Sequence, residues 1–257
     1  MEVEWSRLKA HELRDLAKRD AIVLVPIGAT EQHGPHLPVM VDYRLATEVC
    51  HRAARIVAKT DPIAVTPTLP FGMSEHHMPL GGTITLDFPT MLSTFRCVVR
   101  SLTQHGFRRI FILNGHGGNT APLDVIVTEL TIEFKIPLAY ATYWGIGEKR
   151  IAALLDRQKA LLHACEAETS MIMALAPELV DSESLSQMHG PYIPGNSSIA
   201  GVNPAAYRWR YIPSRSPNGV IGDAATASAE KGEKLLEAIA EELAITVKNK
   251  EFWNTPI

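Results

Sequence analysis

Cysteine is scarce in this chain: Cys50, Cys97 and Cys165 are the only three among 257 residues, and none forms a Cys-x-x-Cys pair. An odd, widely spaced set argues against a disulfide framework and fits a reducing cytosol. Long apolar runs are missing too, since none reaches the ~20 residues that span a bilayer. The opening Met1-Glu2-Val3-Glu4-Trp5 lacks the basic region and apolar core of a secretory leader. Charge of one sign is not in excess: the formal net charge of −3 gives no electrostatic case for nucleic acid or an anionic membrane. Internal repeats, low-complexity tracts and linkers are absent as well. A cytoplasmic protein with one domain over residues 1–257 is therefore expected, long enough to bury roughly three quarters of its unfolded surface.

What is present is an alternation of apolar runs and amphipathic segments. Ala21 to Ile27 is continuously apolar, as parallel strands covered on both faces are. Further strands are predicted over 62–65, 109–113 and 137–141. Helices are predicted over 6–19, 43–59, 89–105, 121–134, 148–155, 163–175 and 223–248. Strand, loop, helix and strand in succession imply βαβ crossovers, hence an α/β fold with an open, mainly parallel sheet. In such sheets the ligand site gathers at the carboxyl ends of the strands. The long stretch 176–222, rich in Pro, Ser, Gly and Asn, reads as a lid or interface arm that helps shape a pocket.

The unusual polar residues cluster just after the first three strands. The first loop brings Glu31, His33, His36 and Asp42 within twelve positions, stiffened by Pro35 and Pro38. Carboxylate and imidazole in this mixture suit a divalent Zn, Mn or Fe ion. Asp42 reads equally as an N-cap of the next helix, and His36, between two prolines, as a brace for the turn. The second loop carries Glu75, His76 and His77. In an extended segment the two histidines face opposite ways, so at most one reaches a site; Glu75 either binds substrate or structures its loop. The third loop, Asn114-Gly115-His116-Gly117-Gly118-Asn119, offers either a ligand in His116 or an anion cradle at a helix start. Tyr143 and Trp144, after the fourth strand, are candidate pocket walls. His163 and Glu168 are five apart and can face one way at a helix start, while Cys165 reads as a small buried apolar residue.

Three of these segments together carry a resemblance. Gly28-Ala29-Thr30-Glu31-Gln32-His33-Gly34-Pro35-His36-Leu37-Pro38 with Asp42, then Asn114 to Asn119, then His163-Ala164-Cys165-Glu166-Ala167-Glu168-Thr169-Ser170, resemble the creatininase (creatinine amidohydrolase) family. Gly72 to Thr83 is similar to that family's second loop. The resemblance implies a three-layer αβα sandwich, a metal-dependent amidohydrolase of non-peptide or cyclic amides, and a homo-oligomer, commonly a hexamer. It implies two divalent metal ions per subunit, one held by Glu31, Asp42 and His116 and the other by His33, Asp42 and Glu168, with Asp42 bridging. His163 would serve the leaving group. Two departures qualify the substrate. The family's name-giving enzyme has a glutamate two residues after its counterpart of His116, where this chain has Gly118. It also has a tryptophan four residues before its counterpart of His163, where this chain has Lys159. The expectation is the family without its name-giving substrate, with Glu168 supplying the contact that Gly118 cannot.

The chemistry implied is hydrolysis of a small amide, lactam or formamide by a water activated between two metal ions. The readings that compete with it are a nucleotide- or phosphate-binding protein with a structural metal, and a catalytically silent metal-binding assembly protein. Within the family, a formamide deformylase or a peptidase is the alternative. Glu75, Tyr143 and Trp144 are the candidate substrate contacts.

Overall fold

The computed structural model describes residues 1–191 and 207–256. Four parallel strands form the central sheet: β1 (Ile22–Ile27), β2 (Ile63–Val65), β3 (Arg109–Asn114) and β4 (Ala139–Thr142), in the order β2-β1-β3-β4. β1 is buried along its whole length, as its unbroken apolar run requires. Strand side chains alternate between faces, and the core divides accordingly. Ile22, Leu24, Phe111 and Leu113 pack against α2 (Val41–Val57), α7 (Glu166–Leu175) and α8 (Ala229–Lys248). Val23, Val25, Ile27, Ile110 and Ile112 pack against α1 (Ala10–Lys18), α3 (Phe88–Gln104) and α4 (Thr120–Phe134). Helices on both faces of a parallel sheet make the three-layer αβα sandwich that was expected.

The strand order also fixes where a ligand can bind. From β1 the chain crosses to β2 on one side and then returns to β3 on the other. The order in which strands are added therefore reverses between β1 and β3, and a crevice opens beyond their carboxyl ends. Ile27 pairs with Asn114, so the loops carrying Glu31 and His116 leave the sheet side by side.

Several boundaries differ from expectation for local reasons. α7 starts at Glu166 rather than 163, because Ala164 lies in the left-handed region (φ +53°) and breaks the helix. α8 starts at Ala229 rather than 223, where the Ser228 hydroxyl accepts the Lys231 N–H. The 66–88 loop contains a 3-10 turn, Glu75–Leu80. The 176–222 stretch has structure of its own, including a two-stranded antiparallel ladder of β5 (His189–Gly190) and β6 (Gly222–Asp223); its residues 192–206 lie outside those described. The two remaining helices near β4 are α5 (Tyr143–Ile146) and α6 (Glu148–Leu154), and α9 (Lys250–Asn254) follows α8. No helix among the described residues is long and apolar enough to cross a membrane.

Candidate functional site

Two glycines let Asp42 reach the crevice. A Cβ on Gly28 would sit 2.3 Å from the Tyr43 nitrogen, and one on Gly115 would sit 2.4 Å from the Asp42 carbonyl oxygen. Glycine at the ends of β1 and β3 thus allows the first turn of α2 to sink between the strands. The N-cap position is occupied by Met40 and Asp42 lies inside the first turn, so its carboxylate is not a cap. It is free to face the crevice, where the helix N-terminus also favours negative charge.

The Asp42 carboxylate is shared between two histidines. Its Oδ1 is 3.1 Å from His33 Nε2, and its Oδ2 is 2.9 Å from His116 Nδ1. Glu31 Oε2 comes within 3.1 Å of the same His116 nitrogen, and Glu168 Oε1 lies 3.9 Å from His33 Nε2. Glu31, Asp42 and His116 therefore form one candidate ligand group, and His33, Asp42 and Glu168 a second. In each, the ligand atoms lie within 4.8 Å of one another. All five side chains are buried.

The donor set fits a cation on a further ground. Glu31 Oε2, His33 Nε2 and Asp42 Oδ2 are buried yet have no hydrogen-bond partner among the described residues. Each such orphan costs on the order of 1–3 kcal/mol, and a metal between the groups would satisfy all three. The opposite ring nitrogens are already committed. His33 Nδ1–H donates to the Glu31 carbonyl and His116 Nε2–H donates to the Met73 carbonyl, each at 3.2 Å. That fixes the tautomer that aims the other nitrogen at a metal. Glu168 is aimed through its Oε2, which accepts the Ala164 N–H at 2.6 Å.

Without a cation, the groups hold protons to balance their charges. Burial disfavours the charged His33, but Asp42 and Glu168 overcome it and raise the pKa to about 9. Burial likewise opposes charge on His116, yet Glu31 and Asp42 push its pKa well above the usual imidazole range. Burial raises Glu168 to about 8 despite the opposing charge of His33. Asp42 moves the other way: burial would raise it, but His33 and His116 hold it low.

His163 stands beside this cluster rather than in helix α7. Its Nδ1 is 3.7 Å from Glu31 Oε1, and its Nε2–H donates to the Gln32 carbonyl at 3.0 Å. Its ring lies 4.3 Å from that of His33 and 4.5 Å from that of His77. Burial and the neighbouring His33 charge depress its pKa well below the usual range, so the imidazole is neutral at neutral pH.

Two expectations about the second loop need correction. The segment is a 3-10 turn rather than extended, so His76 and His77 both line the cavity. His77 Nε2 lies 3.2 Å from Glu31 Oε1, and the His76 ring stacks 5.5 Å from that of His116. Sequence reasoning also passed over Gln32. Its amide Nε2 donates to His77 Nδ1 at 2.7 Å, while its Oε1 accepts the Gly34 N–H at 2.9 Å. The only available signal was its position between Glu31 and His33.

The cavity above the cluster has a volume of about 650 Å³, within the range of small-molecule sites. Glu75 and Trp144 line it. Tyr143 does not: it is fully buried in the core, with its hydroxyl lacking a partner. Tyr207 and Trp209 give the same cavity an aromatic surface. His36 lies back from the cluster, its Nε2 3.0 Å from Thr169 Oγ1, as a brace between the first loop and α7. Cys165 is buried at the N-cap of α7. In the third loop the asparagines act as staples. Asn114 Oδ1 accepts the His116 N–H at 3.0 Å, and Asn119 joins the Gly28 carbonyl at 3.1 Å to the Met73 N–H at 2.9 Å.

Known proteins resemble this chain over most of its length. Creatinine amidohydrolase of Pseudomonas putida is 30% identical over 270 residues, covering 97% of this chain and 95% of its own. Mycofactocin precursor peptide peptidase of Mycobacterium ulcerans is 30% identical over 226 residues, covering 86% and 82%. A crystal structure of creatinine amidohydrolase (creatininase) superposes with a TM-score of 0.74 at 30% identity over 95% of each chain. A manganese form of creatininase gives a TM-score of 0.76 at 27% identity over 96% and 98%. Residues 6–247 match the creatinine amidohydrolase family itself, and the chain belongs to that creatininase family.

Proposed function

We propose that this protein is a metal-dependent hydrolase of the C–N bond in a small amide, lactam or formamide, with two divalent ions per subunit. The observation that carries this reading is the division of the Asp42 carboxylate between His33 and His116. One shared carboxylate between two imidazole–carboxylate groups is the arrangement that holds two metals close together. Glu31, Asp42 and His116 would hold one ion, and His33, Asp42 and Glu168 the other. Relatives solved in a manganese form and in a Zn-Zn form support Mn or Zn, and the same donors accept Fe. When bound, such a pair polarises a carbonyl oxygen and lowers the pKa of water toward neutrality.

The remaining work falls to side chains of this chain. Neutral His163, with Nε2–H committed to Gln32, offers Nδ1 as a proton acceptor toward the crevice. In hydrolysis a water O–H bond breaks, a C–O bond forms, and the C–N bond breaks once its nitrogen gains a proton. His163 Nδ1 is suited to take the water proton and pass it to that nitrogen, a task worth about 10²–10⁴ in rate. Gln32 fixes the His77 ring through Nδ1 and thereby the Nε2 contact to Glu31. Trp144 and Glu75 line the cavity and are the candidate substrate contacts.

The relatives include both an amidohydrolase and a peptide peptidase, which supports the C–N bond as the target. A phosphate-binding reading of the third loop has less support, since Asn114 and Asn119 staple loops and His116 faces carboxylates. The family resemblance also supports a homo-oligomer, which light scattering of the purified protein tests. The reaction itself is tested by a panel of amides, lactams, formamides and peptides assayed before and after chelation. The expected result is hydrolysis that chelator abolishes and Zn or Mn restores. Chelator-insensitive hydrolysis, or none of any substrate by metal-loaded protein, would contradict it.

A further inference from the structure

Three arginines, Arg208, Arg210 and Arg215, line the cavity that also contains Glu31, His116 and Glu168. None has a carboxylate within 4.0 Å among the described residues. The sequence explains why. From Ser184 to Gly222 there is no Asp or Glu at all, so the segment supplying these guanidiniums carries no counter-charge of its own. Among the described residues, Glu75 is the only acidic one lining the cavity besides the candidate metal ligands, and three guanidiniums outnumber it.

The arginines are placed to act on what enters. The turn Ile212–Ser214, between Arg210 and Arg215, packs against the Glu75–Leu80 turn that bears His76 and His77. Arg215 is exposed at the cavity mouth, yet protein atoms surround it closely enough that partial burial, then the charge of Arg210, lowers its pKa. Its charge also reaches His76, whose ring stacks on that of His116. Like-charged guanidiniums facing one cavity repel one another until an anion enters. Guanidinium binds carboxylate and phosphate through paired N–H donors.

We propose that Arg208, Arg210 and Arg215 form an anion subsite, and that the substrate is an amide carrying a carboxylate or phosphate group. The inference deepens the hydrolase reading and rests on it for the word amide, while the anion subsite stands on the arginines alone. Trp144 and Trp209, which line the same cavity, give such a substrate an apolar surface.

Isothermal titration of the metal-loaded protein with inorganic phosphate and with succinate tests the subsite without reading turnover. At least one of the two anions is expected to bind. The tighter one assigns the group as phosphate or carboxylate. Arg210→Gln/Arg215→Gln should weaken that binding roughly ten- to hundredfold, with metal content unchanged. Arg215→Lys, which keeps the charge and loses the fork, should lie between the two. Equal affinity in wild type and the double variant would show the anion resting on the metals instead, and would overturn the proposal, as would absence of binding by both anions. If the double variant does not fold, the comparison of Arg215→Gln with Arg215→Lys decides in the same way. Because no turnover is measured, failure of the amide panel leaves this result readable, and failure here leaves the hydrolase reading intact.

Discussion

The Ala164 N–H donates to Glu168 Oε2 at 2.6 Å, and it does so from a backbone with φ of +53°. A left-handed alanine costs about 1–3 kcal/mol, so the contact is held against strain. The kink also separates His163 from the helix that carries Glu168, letting the two side chains approach the cluster from different elements. Ala164→Gly removes the strain and is expected to leave stability within about 1 kcal/mol of wild type. Ala164→Val adds a β-branched side chain to the same conformation at a fully buried position and should cost about 2 kcal/mol or more. Urea denaturation of both variants checks the difference.

The metal-free protein should lose stability on the alkaline side. His33, raised to about 9 from 6.5, binds its proton more tightly when folded. Its contribution is therefore complete below the unfolded value of roughly 6.5 and is lost as pH climbs through its folded value. Glu168, raised to about 8 from 4.5, acts in the same sense over its own window. His76, lowered by burial to about 3, and His36, lowered by burial to about 4, act oppositely and remove stability as pH falls below their unfolded value. The thermal midpoint of chelator-treated protein should thus decline from roughly pH 7 to roughly pH 9. Bound metal requires deprotonated ligands, so zinc or manganese affinity should rise over the same interval. Calorimetry in matched buffers, with and without metal, reads both effects.

His163→Ala separates chemistry from metal binding. His163 belongs to neither group that shares Asp42, although it forms a further candidate group with Glu31 and His33. Because its proposed role is to carry a proton rather than to hold metal, the variant should retain its metal content. Its turnover should fall by about 10²–10⁴ if the imidazole moves the proton. Loss of metal from this variant would instead make His163 a ligand through its approach to Glu31.

Gly118 marks a place where no side chain fits. A Cβ there would lie 2.3 Å from the Met73 carbonyl oxygen and 2.4 Å from His116 Nε2, the two atoms that fix the His116 tautomer. Gly118→Ala is expected to destabilise the protein by about 1–3 kcal/mol and to weaken metal retention. A variant with wild-type melting temperature and metal content would show that the Met73 carbonyl can yield.

How much was legible in the sequence depended on whether the signal was local. The unbroken apolar run of β1 and the helix periodicities gave the open parallel sheet, and the resemblance to the creatininase family gave the three αβα layers. The spacing of Glu31, His33 and Asp42 after β1, and of His116 after β3, followed from the rule that parallel strands release their functional loops at one edge. Residues whose roles depend on backbone conformation were not legible. His76 and His77 both reach the cavity because their segment is a 3-10 turn, and adjacent positions alone cannot distinguish that from an extended chain. Tyr143 follows a strand as pocket residues do, yet the first turn of α5 directs it into the core. The arginines at 208, 210 and 215 lie in a stretch without periodicity, so only the fold brings them to the cavity.

Metal content per chain tests the central claim most directly. Mass spectrometry of protein purified without chelators should find about two divalent ions per chain, and Asp42→Asn should lower both together, because one carboxylate serves both groups. Wild-type protein with only trace metal, or an Asp42→Asn variant that keeps its full complement, would contradict the shared-carboxylate centre.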